Sequence, residues 1–331
     1  MARQFRIFRN IATVPVQAGN FATVDLPRGY DYETLFVRLT GGVQVTTLFA
    51  GGVRAEAPCQ AISRLEVIAD GRNTLHSAPM WFDTLGSYDR RALNNGARYT
   101  TPPSAATVAT YQVEALASID FMLIDGVRAK DSNLVTQGYQ LFQLRMTFGN
   151  PADLFGPGAG VGVFNNLNAE VFSSELVEIP SADGTRSLPI TAKKVSYQEI
   201  PVPSSNVNQE VRLPAGNLIK SVLVRTEGQA VAGEPSIAML NTLNVFSGVD
   251  VRMRLSGGQV RMKNNQDYGY MFPGYYVFDA MNNGTNDGAR LTEAWDVTNQ
   301  AEPKIAVDIV GGTNNKMQTV VTEFLAIPQG A

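Results

Sequence analysis

His76 is the only histidine of the chain and Cys59 the only cysteine, so nucleophile–base chemistry has little to draw on. A Ser-His-Asp or Cys-His arrangement could use His76 alone, and neither Cys59 nor any serine sits in a nucleophile motif. A zinc centre needs a cluster of His and Cys that this composition does not supply. Two acids at a suitable separation would serve a glycosidase, but no pair stands out among the 30 Asp and Glu residues. Gly156 to Gly162 reads GPGAGVG. It does not fit G-x-G-x-x-G, lacks the Lys-Ser/Thr of a P-loop and precedes no helix. Asp279 to Gly288 (DAMNNGTNDG) is oxygen-rich like a calcium loop, yet it misses the EF-hand spacing and the terminal Glu, which favours a long Asn/Gly turn. No catalytic residue, metal ligand or cofactor is assigned, and the chain is not expected to be an enzyme.

Two groups of residues could bind rather than react. Tyr268, Tyr270, Phe272, Tyr275 and Tyr276, with Trp295 further on, could stack on sugar rings, with Tyr268, Tyr270 and Tyr275 as the platform; alternatively they feed a core and an adjacent contact surface. The N-terminus interleaves Arg3, Arg6 and Arg9 with Phe5, Ile7 and Phe8. It reads as a small basic arm with three possible settings: a free tail, anionic lipid headgroups, or a neighbouring subunit. The apolar residues between the arginines favour an arm with something to bury. A formal charge of −3 argues against a general nucleic-acid binder. The arm lacks the apolar stretch of a secretory signal, no apolar run is long enough to span a membrane, and a lone cysteine suits assembly in a reducing cytoplasm.

Strand signals dominate the elements that must carry these residues. Short runs rich in Val, Ile, Thr and aromatics are punctuated by Gly, Asn, Asp and Pro. Val249 to Leu255 (VDVRMRL) alternates most cleanly, placing Val249, Val251, Met253 and Leu255 on one face and Asp250, Arg252 and Arg254 on the other. Helical pattern is thin, and Pro79 to Leu93 is the best candidate, stopped by Asn94-Asn95-Gly96.

An internal duplication organises the whole. Leu26 to Gly41 (LPRGYDYETLFVRLTG) matches Leu213 to Gly228 (LPAGNLIKSVLVRTEG) without a gap, with six identical positions. Asn168 to Pro180 (NAEVFSSELVEIP) likewise lies over Lys316 to Pro328 (KMQTVVTEFLAIP), and Glu175/Glu323, Ile179/Ile327 and Pro180/Pro328 are identical. The start and end of a domain recur in the same order, so the chain holds two versions of one domain. About seven or eight strands per copy, with no βαβ rhythm, predict an antiparallel sandwich. The expected division is a basic arm over 1–13, a first domain over 14–182, a polar linker over 183–196 and a second domain over 197–331.

The repeat and its strand order resemble the double jelly-roll major capsid proteins of tailless icosahedral viruses, the lineage of the tectiviruses, corticoviruses and adenovirus hexon. Ile62 to Leu75 and Tyr139 to Phe155 add segments that look like capsid strands followed by interface loops. The resemblance implies an all-β fold of two tandem eight-stranded antiparallel jelly-roll β-sandwiches. It also implies a homotrimer whose six sandwiches tile an icosahedral shell, over an internal membrane. Partners would be neighbouring capsomers, minor capsid, vertex or membrane proteins and membrane lipid, with no sequence-specific nucleic-acid contact. The protein would be made in the host cytoplasm and reside in the virion. In that setting Arg3, Phe5, Arg6, Phe8 and Arg9 belong to an inner arm. The competing expectation is a tandem carbohydrate- or receptor-binding sandwich protein.

Overall fold

Turn glycines and β-branched runs cut the chain into strands that a computed structural model describes for residues 3–86, 99–100, 108–123, 132–156, 160–179, 189, 191–228, 231–269, 271–281, 291–300 and 302–326. Two units meet between Lys194 and Val195. The first contains β1 (Arg3–Pro15), β2 (Phe21–Asp25), β3 (Asp31–Thr47), β4 (Ile62–Ala69), β5 (Asn73–Ala78), β6 (Tyr99–Thr100), β7 (Thr110–Asp120), β8 (Leu134–Val135), β9 (Phe142–Phe148) and β10 (Val161–Ile179). β11 (Thr191–Pro201) crosses into the second, followed by β12 (Asn206–Arg212), β13 (Leu218–Gly228), β14 (Val231–Pro235), β15 (Leu240–Ser247), β16 (Asp250–Ser256), β17 (Tyr275–Asp279), β18 (Trp295–Asp296), β19 (Pro303–Ile309) and β20 (Lys316–Ala326).

In the first unit β1-β10-β3-β7 form one sheet, extended by β6 and β8, and β2-β9-β4-β5 form the other. In the second, β11-β20-β13-β17 face the same role, with β14 and β18 also on β13, and β12-β19-β15-β16 make the partner sheet. Counting only the eight principal strands of each unit in chain order, both units are wound 1-8-3-6 and 2-7-4-5. That winding is a jelly roll, and it occurs twice.

The duplicated sequence falls on the same parts of both. Gly29 (φ 117°) and Gly216 (φ 89°) turn the chain into the third strand, and Gly41 (φ 142°) and Gly228 (φ 110°) recur at the equivalent position within or at the end of it. All four lie where a side chain is strained. At Gly41 a Cβ would come within 2.2 Å of the Asn166 carbonyl oxygen. The second repeated segment is the eighth strand, which lies beside the third: Val171 pairs with Val37, and Val321 with Val222. The two repeats are therefore neighbours in space.

Alternation builds the cores. On β3, Leu35, Val37, Leu39 and Val43 are fully buried, as are Leu65 and Val67 on β4 and Leu144 and Met146 on β9. In the second unit Ile219, Val222, Val224, Leu243, Val245, Trp295, Ile305 and Val307 share one cluster. Each such side chain is worth about 1.5–3 kcal/mol of burial. Here β13 keeps its inward face only because the pairing with β20 slips between Ile219 and Ser221, which changes the parity of the alternation.

Four expectations are revised. The segment 1–13 is not set apart as an arm: residues 3–15 form the first strand of the first jelly roll, paired with β10 from Arg3↔Ile179 to Pro15↔Asn168. The second jelly roll likewise starts inside the expected 183–196 linker, because β11 begins at Thr191. Val249 falls in the turn before β16 and is exposed, and on β16 a bulge opposite Val245/Phe246 shifts the register, so Val251 is exposed while Met253 and Leu255 pack against the core. Finally, α1 covers Met80–Thr84 rather than the whole of Pro79 to Leu93, of which 87–93 lie outside the described residues.

A longer helix, α2 (Gly257–Tyr268), follows β16. Both helices thus lie between the fifth and sixth principal strands of their units. Ser256 caps α2: its Oγ accepts from the Gln259 amide, and the Gln259 side chain accepts from the Ser256 amide, a reciprocal box that opens the helix. The buried residues Val260, Asn264 and Tyr268 form one stripe at four-residue spacing.

Candidate functional site

The N-terminal residues are fixed by charge. Arg6 Nη2 donates to Glu33 Oε1 at 2.9 Å and its Nε donates to the other oxygen, which also accepts from Ser174 Oγ at 2.8 Å. Arg9 lies 3.4 Å from Glu175 Oε2, whose other oxygen accepts from Ser173 Oγ at 2.6 Å. The Arg9 guanidinium also sits 5.5 Å from the centroid of the Tyr30 ring, a cation–π distance. Glu33 and Glu175 are buried, and buried carboxylates persist only when paired and hydrogen-bonded. The bond to Glu33 raises the Arg6 guanidinium above its ordinary value.

Arg6 and Arg9 therefore spend their charge within their own unit. Arg3 contributes its backbone to the pairing. The surface of β1 mixes exposed Arg6, Asn10 and Thr13 with two large apolar side chains, Phe8 at 71% and Phe5 at 45% exposed, on a strand at the edge of its sheet. Phe8 lies opposite Ser174, on the face that also carries Phe172 two residues earlier. Phe172 stacks on Phe36 at 4.8 Å. The partners Glu33, Glu175, Ser173 and Ser174 escaped sequence reasoning. Only the identity of Glu175 with Glu323 in the repeat marked any of them.

The expected glycan platform is not a surface. Tyr268 and Tyr275 are buried, as are Tyr276 and Trp295; Tyr270 lies outside the described residues. Tyr268 donates to Asp279 Oδ2 at 3.3 Å, the same oxygen that lies 3.2 Å from Lys220 Nζ. Asp279, the first residue of the oxygen-rich segment, is thus committed to a buried ion pair; residues 282–288 of that segment, with Asn283, Gly284 and Thr285, lie outside the described residues. The aromatic cluster is core material around strands β13 and β17.

The remaining chemical candidates are also structural. His76 Nε2 meets Asp83 Oδ2 at 2.9 Å, both side chains buried. Burial pushes the Asp83 carboxyl up, against the pull of the His76 ring. This pair ties α1 to β5. Cys59 is buried. Gly160 cannot carry a Cβ because it would lie 2.3 Å from the Phe49 ring, which stacks on Phe155 at 4.3 Å. That contact accounts for a glycine in GPGAGVG by packing; 157–159 lie outside the described residues. Among the described residues there is no group of three His, Cys, Asp or Glu able to hold a metal, and no helix is long and apolar enough to cross a membrane.

No protein-family model matches the chain, and no curated protein matches its sequence. Solved structures do match. A chain in the atomic structure of Sulfolobus Turreted Icosahedral Virus superposes with a TM-score of 0.68 at 14% identity, over 97% of this chain and 91% of that one. The major capsid protein P2 from bacteriophage PM2 gives 0.58 at 14% identity, over 99% and 100%. A chain of the PBCV-1 virus capsid gives 0.65 at 12% identity, over 98% and 94%. With both sandwiches wound alike and the likeness running along nearly the whole chain, this protein has the double jelly-roll fold of those capsid proteins.

Proposed function

We propose that this chain is the major capsid protein of an icosahedral virus and that three copies form a pseudo-hexagonal capsomer. The supporting observation is two jelly rolls of identical winding in one chain. Three chains then present six similar sandwiches, so a trimer can occupy a position with six neighbours. The whole-chain likeness to capsid proteins supports the same reading, as does the structural use made of His76, Asp83, Cys59 and the buried tyrosines.

Exposed Phe5 and Phe8 on the edge strand, Phe8 on the face that carries the Phe36–Phe172 stack, supply the contact to a neighbouring subunit or to lipid under the shell; Arg6 and Arg9 hold that strand in place. The protein acts in the virion after synthesis in the host cytoplasm, with other capsid, vertex or membrane proteins as partners. It carries no enzymatic role. Size-exclusion chromatography with light scattering tests the stoichiometry. Three chains of 35.8 kDa should elute together at about 107 kDa and persist on dilution. A monomer or dimer at capsid-forming concentrations would overturn the six-sandwich tile.

A further inference from the structure

A cleft of about 620 Å³ opens in the first unit between the Asp25–Gly29 turn and the Gln137–Phe142 segment. That volume lies in the range of small-molecule sites and accommodates one or two sugar rings. Its walls are held by the protein itself. Asp70 Oδ1 accepts from the amides of Gln140 and Leu141 at 2.7 and 3.1 Å. Thr136 Oγ1 accepts from the Gly29 amide at 3.0 Å and donates to the Tyr30 carbonyl at 2.8 Å. Tyr139 stacks on Phe142 with centroids 5.9 Å apart.

Arg28 carries the chemistry. Its Nη1 donates to the carbonyls of Tyr139 and Gln140, both at 2.6 Å, which uses both hydrogens of that nitrogen. The guanidinium is thereby oriented, and its Nε–Nη2 edge remains, the parallel pair of donors that grips a carboxylate in two places. Asp25 accepts from Gln143 through Oδ1 only, at 2.7 Å, leaving Oδ2 as an acceptor for a hydroxyl. Leu141, 39% exposed, and the Tyr139 ring add apolar wall for the C–H face of a sugar. One cation beside Asp25 and Asp70 disfavours polyanions such as nucleic acid or heavily sulfated chains.

We propose that this cleft binds a saccharide bearing a single carboxylate, a uronic or sialic acid, with Arg28 on the carboxylate and Asp25 on a hydroxyl. The duplication contains its own contrast. The second unit keeps the same turn, Leu213 to Gly216, but has Ala215 where the first has Arg28, so one site per chain is expected.

The test uses the full-length chain with saturation-transfer NMR and calorimetry against glucuronic acid and sialyllactose, with glucose and lactose as neutral counterparts. Binding of the acidic sugars over the neutral ones, one per chain, is expected. Arg28→Ala should weaken it about tenfold or more, the scale of a lost charge-assisted hydrogen bond. Arg28→Lys, which keeps the charge and removes the fork, should weaken it several-fold, and Asp25→Asn should reduce affinity for both classes of sugar. Circular dichroism and the melting temperature identify any variant that fails to fold, and Arg28→Lys guards against a turn that collapses without the carbonyl contacts. Equal binding of neutral and acidic sugars, an Arg28→Lys variant as tight as the parent, or no binding at millimolar sugar would each overturn the assignment. Because the readout is sugar binding, it is independent of whether the chain trimerises.

Discussion

Asn264 should be among the most costly polar side chains to remove from the second unit. It is 1% exposed on α2, and its amide makes two bonds to one residue of β17: Oδ1 accepts from the Val277 amide at 2.8 Å, and Nδ2 donates to the Val277 carbonyl at 2.9 Å. Among the described strands β17 pairs only with β13, so the side chain stands in for a missing neighbour on the far edge. Each bond contributes about 1 kcal/mol net, and a buried backbone group left without a partner costs about 1–3 kcal/mol. Asn264→Leu, which keeps the volume and removes the amide, should therefore cost about 2–4 kcal/mol. For a domain of this size that is a fall of roughly 4–15 °C in the melting temperature. Urea unfolding followed by the fluorescence of buried Trp295 reports on this unit; Trp81 in the first unit should be replaced by Phe in the background. A midpoint change worth under 0.5 kcal/mol for Asn264→Leu would show that α2 is held by packing alone, and the argument would fail.

Other outcomes follow from the same accounting. Gly41→Ala should prevent soluble expression or lower the first unit's melting temperature by several degrees, since its Cβ would meet backbone at 2.2 Å, whereas Gly71→Ala, with open space around it, should cost about 1 kcal/mol from its positive φ alone; equal losses would contradict the packing account. Cys59 is buried and should react with a thiol reagent only on unfolding, so rapid labelling of native protein would refute its placement. Burial pushes the Glu199 carboxyl up, but bonds from Gln318 and Lys316 outweigh it and leave it below its ordinary value. A depressed carboxylate stabilises above its unfolded pKa, and that stability is lost as pH falls through the folded one. The second unit should thus weaken below about pH 4.5, and Glu199→Gln should flatten that part of the pH–stability curve; an unchanged curve would refute the role of Glu199.

The duplication was the legible part of the fold because its identities sit where backbone geometry leaves no choice. Gly29, Gly216, Gly41 and Gly228 all have positive φ, and Val37 and Val224 face the two cores. The first strand of each unit was not legible as a strand. β1 interleaves arginines with apolar residues, and β11 contains Lys193, Lys194 and Glu199, so neither shows the clean alternation of a half-buried strand. Their pairing is set by the eighth strand rather than by their own pattern. α2 was hidden for a related reason: its buried stripe is one valine, one asparagine and one tyrosine. The aromatic platform failed because sequence does not distinguish a ring that faces solvent from one that faces a core. The cleft around Arg28 joins residues more than a hundred positions apart, and no local motif announces it.

Closing the first jelly roll by its first and last strands has a consequence for synthesis. β1 pairs with β10 as far as Arg3↔Ile179, so a strand made before the rest of its unit must wait for nearly the whole unit before its sheet exists. Such long-range pairing is slow to form, and Phe5, Ile7 and Phe8 remain unsheltered through that interval. An uncharged strand of this kind would invite association between nascent chains. Arg3, Arg6 and Arg9 break up the apolar run, as charged gatekeepers do. Two of those arginines then acquire buried carboxylate partners only when the unit closes. The same charges that keep the emerging chain solitary thus become the latch of the finished domain.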